Sequence, residues 1–381
     1  MARIVLSACM FRYPLGGMLS WALQYLLGLK ALGHEVYFVE KYGCPDACYD
    51  PSKGVMSNDP AYGLKIVSDL LTRFELAGHW CFVGYGEEYH GLSKKAVEEV
   101  FRTADLFIDL EAPGGWAEEA THSRLRVLID GEPAYTQMKW ANDAAWGRPV
   151  PVYDRYYTNG KNVGTAGNPV PTLGIRWEHV YSPVVTDLFR NPPGVSNGQY
   201  STVMNWRSHA PLAYKDKTYG QKAEEFQKFV GLPRLVKAAM AIAVSGKEVP
   251  VATLQENGWS VVNGEQVSGS FDAFRQYVGA CRGEFSVCKN VFVVPFTGWF
   301  SDKSAAYLAS GRPVVLQDTG FSRHLPTGQG LLAVNNAEEA REAIGRIEDD
   351  YALHSRRARE IAHEYLEAKK VMHIFLNELG L

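Results

Sequence analysis

The sequence predicts an α/β protein made of two Rossmann-like domains that face one another across a central cleft. Its 381 residues are too many for one ordinary hydrophobic core and suit two domains. In both halves short apolar runs alternate with segments of helical periodicity, which favours parallel sheets covered by helices on both faces. A stretch rich in glycine and proline, residues 159–193, lies between the halves and is typical of a domain junction.

The N-terminal half, residues 1–165, begins with a strand and alternates strictly from there. Apolar runs predict strands at residues 4–8, 35–39, 80–83, 106–110 and 126–130. Helical spacing predicts helices at residues 19–32, 62–74 and 94–101. Gly33 supplies the C-terminal stop of the first helix. Ligands of such sheets bind outside the carboxyl ends of the strands, so the loops at those ends are the first candidates for a site.

The alternation restarts in the C-terminal half, residues 199–362, after a junction at residues 166–198. Apolar runs predict strands at residues 201–205, 259–262, 290–295 and 313–317. Helical spacing predicts helices at residues 222–229, 235–243, 271–281 and 302–310. The tail is predicted to be helical from residue 337 to the end.

Composition and charge exclude several classes of protein. Hydrophobic residues make up 46% and charged residues 21%, as in globular proteins, which excludes a disordered chain. The formal net charge of −3 disfavours a dedicated nucleic-acid binder, which needs a basic surface, but leaves a small anionic ligand open. No apolar stretch is long enough to span a membrane, and the first residues lead into a strand pattern instead of a signal peptide.

The cysteines and histidines predict neither a disulfide framework nor a metal site. Six cysteines in a chain of this length favour a reduced, cytoplasmic setting. The ten histidines contain no H-E-x-x-H motif and no close pair, so we expect no bound metal.

The most informative segment spans residues 297–320. Its pattern predicts a glycine turn, a short helix with hydroxyl groups at its start, a strand and a second glycine turn. A serine caps such a helix, and the same helix end favours phosphate because its N–H groups and dipole carry positive charge. Plain N-capping explains one serine and leaves the rest of the polar cluster unexplained. The candidates for a phosphate site are therefore Gly298, Ser301, Asp302, Lys303 and Ser304.

The loop between the first strand and its helix, residues 12–18, contains Gly16 and Gly17. Glycines there let the backbone approach a ligand, and the N–H groups of the helix start suit an anion or a sugar oxygen. A tight turn without a ligand explains the pattern equally well, and both interpretations stay open. The loop is not the G-x-G-x-x-G fingerprint, so we expect neither a nicotinamide nor a flavin cofactor.

Carboxylates follow two neighbouring strands of the N-terminal half. Asp130 and Glu132 come at the end of one strand, where they are candidates for a general base that deprotonates a hydroxyl group. Asp109 and Glu111 end the preceding strand. Glu132 also suits an ordinary helix start, so Asp130 is the stronger candidate for the base.

Residues 300–315 resemble the nucleotide-sugar segment of GT-B glycosyltransferases, which in retaining members reads approximately F-G-x-x-x-x-E-A-M-A-x-G-x-P-V-V. Residues 29–36 are similar to a helix-to-strand passage common in these enzymes. More narrowly, T-G-W-F-S-D-x-S followed by Q-D-T-G-F resembles bacterial proteins grouped as family 1 glycosyltransferases. The resemblance implies a GT-B fold whose C-terminal helix, residues 363–381, packs back on the N-terminal domain. It also implies transfer of a sugar from a nucleotide-sugar to a hydroxyl acceptor, which we expect to be a small molecule.

The resemblance also nominates the donor site. It implies that basic side chains from two regions hold the donor diphosphate, which indicates Arg207, near His209, and Lys289. A guanidinium suits bidentate phosphate contact, and an ammonium supplies a point charge. The acceptor would enter past Gly16, Gly17 and Asp130, and GT-B sites usually need neither a metal nor a cofactor.

One departure from the family pattern concerns the donor sugar. The family glutamate falls at Ala306, and Asp302, or Asp318 with Thr319, are the candidates to replace its polar contact. A nucleotide-sugar epimerase, a sugar phosphorylase and a non-catalytic nucleotide-sugar binding protein stay open as alternatives, because the fold does not determine the chemistry. A DNA-base glucosyltransferase would share the fold, but such an enzyme is expected to have a basic face, which a net charge of −3 disfavours.

Overall fold

The computed structural model describes residues 1–110, 115–190, 197–208 and 210–381. The N-terminal half contains strands β1 Arg3–Ser7, β2 Glu35–Lys41, β3 Cys48–Asp50, β4 Val55–Ser57, β5 Trp80–Gly84, β6 Glu88–Gly91, β7 Leu106–Leu110, β8 Arg126–Asp130, β9 Arg155–Thr158 and β10 Trp177–His179. Its helices are α1 Gly16–Ala31, α2 Ala61–Arg73, α3 Lys94–Arg102, α4 Ala117–Ala120 and α5 Tyr135–Ala145.

The first sheet has eight strands in the order β10-β9-β8-β7-β1-β2-β5-β6. All neighbouring pairs are parallel except β5 and β6. The six central strands follow the doubly wound order, in which the chain turns back between β1 and β7. Because β10 belongs to this sheet, the sheet continues past the predicted boundary at residue 165. Strands β3 and β4 form a separate hairpin.

The C-terminal half contains strands β11 Gln199–Asn205, β12 Leu212–Tyr214, β13 Lys217–Tyr219, β14 Ala239–Ser245, β15 Ser260–Asn263, β16 Gly283–Ser286, β17 Val314–Gln317 and β18 Leu331–Val334. Its helices are α6 Lys222–Phe226, α7 Val251–Glu256, α8 Gly264–Ser268, α9 Phe271–Ala280, α10 Asn290–Val293, α11 Asp302–Ala309, α12 Ala337–Asp349, α13 Tyr351–Ile361 and α14 Ala368–Glu378. The second sheet is wholly parallel, in the order β15-β14-β11-β16-β17-β18. This is the doubly wound order again, with the chain turning back between β11 and β16, and the prediction of two Rossmann-like domains is confirmed.

Two element predictions in this half were wrong. The helix predicted at residues 235–243 is largely strand β14, whose middle five residues are buried. A central parallel strand is covered on both faces, so its continuous apolar run has no alternation and resembles a buried helix. The strand predicted at residues 290–295 is the short helix α10, and the strand of this region is β16, which was missed. The apolar pattern of β16 is interrupted by the charged Glu284, which is fully buried. The carboxylate is tolerated there because it pairs with Lys303 at 3.0 Å.

The C-terminal helix packs on the N-terminal domain, as predicted. Helix α14 lies against α1 at Gly28, where an added Cβ would come within 2.9 Å of the Ala368 carbonyl oxygen. Phe375 packs on Tyr157 of β9 with ring centroids 4.9 Å apart. Close contact between two helices needs a small residue at the crossing, so Gly28 permits the docking of α14. None of the described helices is long and apolar enough to cross a membrane.

The two domains are in direct contact on both sides of the cleft. On one side Arg73 of α2 forms two hydrogen bonds to Asp272 of α9, at 2.6 and 3.1 Å. On the other side the backbone N–H and side-chain amide of Asn162 donate to the carbonyl oxygens of Thr297 and Phe296, each at 2.8 Å. These contacts hold the cleft walls at a defined separation.

Candidate functional site

A cavity of about 480 Å³ lies between the two domains. Its floor is the carboxyl edge of the second sheet, with residues from the ends of β11 and β14 and from the loop after β16, namely Asn205, Ser245 and Lys289. This is the edge where the second doubly wound sheet turns back, and where open α/β sheets bind their ligands. The opposite wall comes from the start of α1 and the loop after β8, including Leu15, Gly17, Met18, Trp21 and Glu132.

The predicted site residues divide into two groups. The cavity is lined by Gly17, Glu132, Lys289, Ser301, Asp302 and Lys303. The remaining described candidates do not line it: Gly16, Asp130, Arg207, Gly298, Ser304, Asp318 and Thr319. Glu111 and His209 lie outside the described residues.

Asp130 is the centre of a buried hydrogen-bond network. Its Oδ1 accepts from the Thr136 hydroxyl at 2.6 Å and from the Glu132 backbone N–H at 3.0 Å. Its Oδ2 accepts from the Gln137 amide at 2.8 Å and from the Thr158 hydroxyl at 2.9 Å. Burial raises the pKa of Asp130, and these donors oppose the rise. A carboxylate with four donors and no cavity surface holds the β8–α5 loop in place and has no oxygen directed at a substrate.

Arg207 lies outside the cavity and is paired with other side chains. Its guanidinium is 3.9 Å from Glu224 and 3.6 Å from Glu248, and its side chain is 46% exposed. Such exposed ion pairs contribute little to stability, so Arg207 can exchange its partners. Contact between Arg207 and a ligand in the cavity requires a change of its rotamer.

The second glycine turn, residues 318–320, has a structural role. The Asp318 carboxylate accepts from the Gly320 N–H at 2.8 Å and from the Ser322 hydroxyl at 2.6 Å, which caps the turn. Thr319 is fully buried and donates to the Trp299 carbonyl oxygen. Gly298 has a φ of 76°, and a Cβ there would come within 2.8 Å of the Asn162 nitrogen. Close domain contact therefore explains this glycine.

Lys303 points into the sheet. Its ammonium donates to Ser286 at 2.7 Å and to Thr202 and the Val203 carbonyl oxygen at 3.1 Å each, and it pairs with Glu284 at 3.0 Å. The ammonium thus has at least as many acceptors as it has protons. Lys303 joins β11 to β16 beneath the cavity floor and adds positive charge there.

The start of α11 combines a cap with an acidic group. The Ser301 hydroxyl accepts from the Ser304 N–H at 3.5 Å, a long contact for a cap. Asp302 lines the cavity beside it, and burial raises its pKa, while Lys303 and Lys222 act in the opposite direction. Because the Asp302 carboxylate offsets the positive helix end, α11 by itself is a weak anion site.

Lys222, at the first position of α6, is a cavity residue that sequence reasoning missed. Its ammonium has no hydrogen-bond or ion-pair partner among the described residues. Burial, then the nearby Lys303 and Lys289, lower its pKa to about 8. The signal was weak, because a lysine at the start of a predicted helix is usually a solvated surface residue.

A buried carboxylate positions Lys222. Glu225, one turn further along α6, accepts from the Asn290 amide at 2.6 Å and also from the Gln317 amide. Asn290 follows Lys289 directly, so this network fixes α6 against the loop that carries the second cavity lysine. Two ammonium groups therefore face one cavity at the end of one sheet, an arrangement that attracts a ligand with several negative charges.

Lys289 and Glu132 form an ion pair across the cleft. The Lys289 ammonium donates to Glu132 Oε1, and both side chains are largely buried, at 13% and 26% exposure. The other carboxylate oxygen, Oε2, is buried and has no hydrogen-bond partner among the described residues. The pair joins the C-terminal floor of the cavity to its N-terminal wall.

The part of the N-terminal wall at the start of α1 is apolar, and hydrogen bonds hold the loop before it. The loop after β1 is fixed by the buried Glu40, whose carboxylate accepts from the backbone N–H groups of Met10, Phe11 and Arg12 at 2.6–3.1 Å. Gly16 touches the opposite domain, since a Cβ there would come within 2.4 Å of the Ser270 carbonyl oxygen. Gly17 has open space beside it. The glycine pair thus serves close domain packing at one position and cavity access at the next.

Among the described residues, no group of three or more histidine, cysteine, aspartate or glutamate side chains is arranged to hold a metal ion. The expectation of a metal-independent site stays a prediction.

Several solved structures share this fold. Anabaena HepE in complex with UDP matches with a TM-score of 0.56 and 12% identity over 100% of both chains. AviGT4, a glycosyltransferase involved in avilamycin A biosynthesis, matches with a TM-score of 0.55 and 13% identity over 99% of this chain and 97% of that chain. An α-glucosyltransferase in complex with UDP and a 13-mer DNA matches with a TM-score of 0.60 and 10% identity over 100% of both chains. No protein-family model and no curated protein matches the sequence.

These comparisons confirm the predicted GT-B fold over the full length of the chain. At 10–13% identity the likeness establishes the fold alone, and fold does not determine chemistry. The activity is therefore argued below from the cavity.

Proposed function

We propose that the protein is a glycosyltransferase that moves a sugar from a nucleoside diphosphate-sugar to a hydroxyl group of a small-molecule acceptor. The observation that carries the proposal is Lys222, a partly buried residue whose ammonium faces the cavity without a partner among the described residues. A buried unpaired charge is costly, and a ligand of opposite charge removes the cost. With Lys289 beside it, the cavity suits a diphosphate.

The chemistry of sugar transfer agrees with this charge distribution. When the bond to the sugar breaks, negative charge develops on the departing diphosphate, and fixed positive groups stabilise that charge. Lys222 and Lys289 supply two such groups, and the nearby Lys303 adds to the positive potential. Neighbours in complex with UDP, such as HepE, support a nucleoside diphosphate as the leaving group.

The acceptor is proposed to enter along the N-terminal wall, where Leu15, Met18 and Trp21 provide apolar contacts. One neighbour is in complex with DNA, yet the net charge of −3 lacks the positive surface that a nucleic-acid acceptor requires. We therefore propose a small acceptor. The Ala306 side chain is 2% exposed and contributes no carboxylate, which leaves Asp302 as the candidate for a contact to the donor sugar.

The proposal is tested first by a thermal-shift screen with UDP, GDP, ADP, dTDP, NAD and inorganic phosphate at equal concentrations. A ligand that binds only the folded protein stabilises it, by about 2.7 kcal/mol at a ligand concentration of one hundred times its Kd, and so raises the melting temperature. We expect a rise with one nucleoside diphosphate that is lost in Lys222→Ala and kept in Arg234→Ala, which removes an arginine that lies outside the cavity.

No shift with any diphosphate, or a shift with NAD alone, contradicts the proposed donor site. Once the base is known, the matching nucleotide-sugars are assayed for turnover. A bound donor with neither transfer nor hydrolysis would identify a non-catalytic binding protein, and turnover without an acceptor or with free phosphate would identify an epimerase or a phosphorylase.

A further inference from the structure

The cleft-spanning pair of Lys289 and Glu132 occupies part of the cavity. Lys289 lies on the floor that is proposed to hold the diphosphate, and its ammonium is already bound to a carboxylate. Lys222, on the same floor, has no such partner among the described residues. The two lysines therefore differ in their readiness to bind an anion.

The Glu132 backbone cannot follow a moving lysine. Its N–H donates to Asp130, and the following Pro133 is packed against Gly160, where an added Cβ would come within 2.5 Å of the proline Cβ. Ala134 is fully buried with a φ of 70°, a conformation that non-glycine residues adopt only when their surroundings enforce it. The loop thus holds the Glu132 backbone at a fixed place.

Lys289, by contrast, has a flexible four-carbon side chain. A rotamer change is enough to move its ammonium from Glu132 toward a ligand on the cavity floor. Glu132 Oε2 accepts no hydrogen bond from a described residue, so the pair is held through one carboxylate oxygen only. Such a pair is easier to separate than a bidentate one.

We propose that Glu132 competes with the diphosphate of the donor and product for Lys289, so that binding exchanges one anionic partner of the lysine for another. The inference rests on the proposed function. Binding of the diphosphate releases the Glu132 carboxylate toward the N-terminal wall of the cavity, and departure of the product restores the pair. The carboxylate lowers affinity for the nucleoside diphosphate and speeds its release.

The test measures binding of UDP and of inorganic pyrophosphate by titration calorimetry, and dissociation of UDP by stopped flow, in wild type and Glu132→Gln. Removing the competitor is expected to tighten binding about fivefold, the order expected for separating a partly exposed ion pair. The gain is expected in a slower dissociation rate, where affinity differences within one site usually lie. A site residue that contacts the ligand directly would show the opposite sign, a loss of affinity.

Two controls separate the exchange from a general loss of negative charge. Glu119→Gln neutralises a carboxylate that pairs with Lys41 at similar burial but lies outside the cavity, and it is expected to leave affinity within twofold. In Lys289→Ala, which binds more weakly, adding Glu132→Gln is expected to give no further tightening. Glu132→Ala provides a second variant if Glu132→Gln melts at a lower temperature than wild type.

Unchanged or weaker binding in the Glu132 variants overturns the inference while the proposed function stands. Equal tightening in Glu119→Gln also overturns it, because general electrostatics would then explain the effect. If UDP and pyrophosphate bind neither wild type nor the Glu132 variants, the donor site fails together with the inference.

Discussion

At the scale of single residues, the unpaired charge of Lys222 in the cavity destabilises the folded protein. Partial burial of the ammonium, then the nearby Lys303 and Lys289, lower its pKa to about 8 from its ordinary value of 10.5. Proteins commonly accept such local instability where a ligand of opposite charge binds. Lys303 is the contrasting case, because its charge is matched by Glu284 and by hydroxyl and carbonyl oxygens.

The contrast predicts opposite effects of the same substitution at the two lysines. Lys222→Met removes an unpaired charge and is expected to stabilise the ligand-free protein by about 1–2 kcal/mol while abolishing the UDP-induced shift. Lys303→Met leaves the buried Glu284 carboxylate without its cation and is expected to destabilise by about 3–5 kcal/mol. Urea unfolding of both variants checks the signs. A destabilised Lys222→Met would mean that its ammonium has a partner in the ligand-free protein.

The stabilisation by Lys222→Met is expected to depend on pH. Below pH 8 the lysine is charged in both the folded and the unfolded protein, so the cost of burying its charge is fully present. Between pH 8 and 10.5 the folded form has lost the proton that the unfolded form still holds, so wild type gains stability relative to the variant as pH rises. Unfolding free energies compared at pH 7 and pH 9.5 check this, and a constant difference would contradict it.

At the scale of secondary-structure elements, the start of α1 has two functions on adjacent residues. Gly16 allows the helix to approach α9 of the other domain, where the Ser270 carbonyl oxygen leaves no room for a Cβ. Gly17 faces the cavity with open space beside it. Neither glycine has a positive φ, so packing and not backbone conformation requires the first one.

The pair of glycines provides a matched test of element packing. Gly16→Ala is expected to destabilise the protein by about 1–3 kcal/mol, because the methyl group forces α1 away from α9. Gly17→Ala is expected to remain within about 0.5 kcal/mol of wild type, since surface substitutions of this kind have small effects. The urea unfolding midpoints of the two variants, compared with that of wild type, measure these changes in stability. Equal tolerance of both substitutions would show that α1 and α9 separate readily in solution.

At the scale of the whole molecule, the two domains are joined on each side of the cleft. On one side Asn162 makes a further polar contact, since its Oδ1 lies 2.7 Å from the His324 ring nitrogen. Gly298 and Gly320 both approach it so closely that neither has room for a side chain. The ion pair of Arg73 with Asp272 holds the other side and is more exposed.

Removing the Asn162 side chain is expected to loosen the closed arrangement. Asn162→Ala removes the 2.8 Å hydrogen bond to the Phe296 carbonyl oxygen and leaves it only the longer one from the Asn168 amide, at 3.3 Å, at a cost of about 1 kcal/mol. We expect a larger radius of gyration by small-angle scattering and partial recovery on addition of the nucleoside diphosphate found in the screen. Asn257→Ala removes an exposed amide at a helix end within one domain and is expected to change neither property. An unchanged radius in Asn162→Ala would show that other contacts suffice.

Periodicity by itself determined the architecture of this protein. Alternating strands and helices predicted both doubly wound sheets, and residues 301–303 of the predicted phosphate segment line the cavity, whereas Gly298 and Ser304 do not. The misassigned β14 and the missed β16 show the limit of prediction from periodicity. The pattern of a segment indicates how it is buried, but not which neighbours bury it. The absent G-x-G-x-x-G motif argues in the same local way against a nicotinamide or flavin cofactor, and the expectation of no cofactor stays a prediction.

The tertiary structure alone decided which polar groups face the cavity. Asp130 and Asp318 are polar residues at strand ends, like Glu132, but long-range and loop contacts satisfy them away from the cavity. Lys222 became a site residue only because folding brings α6 beside the loop after β16, 67 positions away at Lys289 by the chain numbering. Side-chain chemistry can be predicted locally, whereas the partners that neutralise a charge or leave it unpaired come from distant parts of the chain.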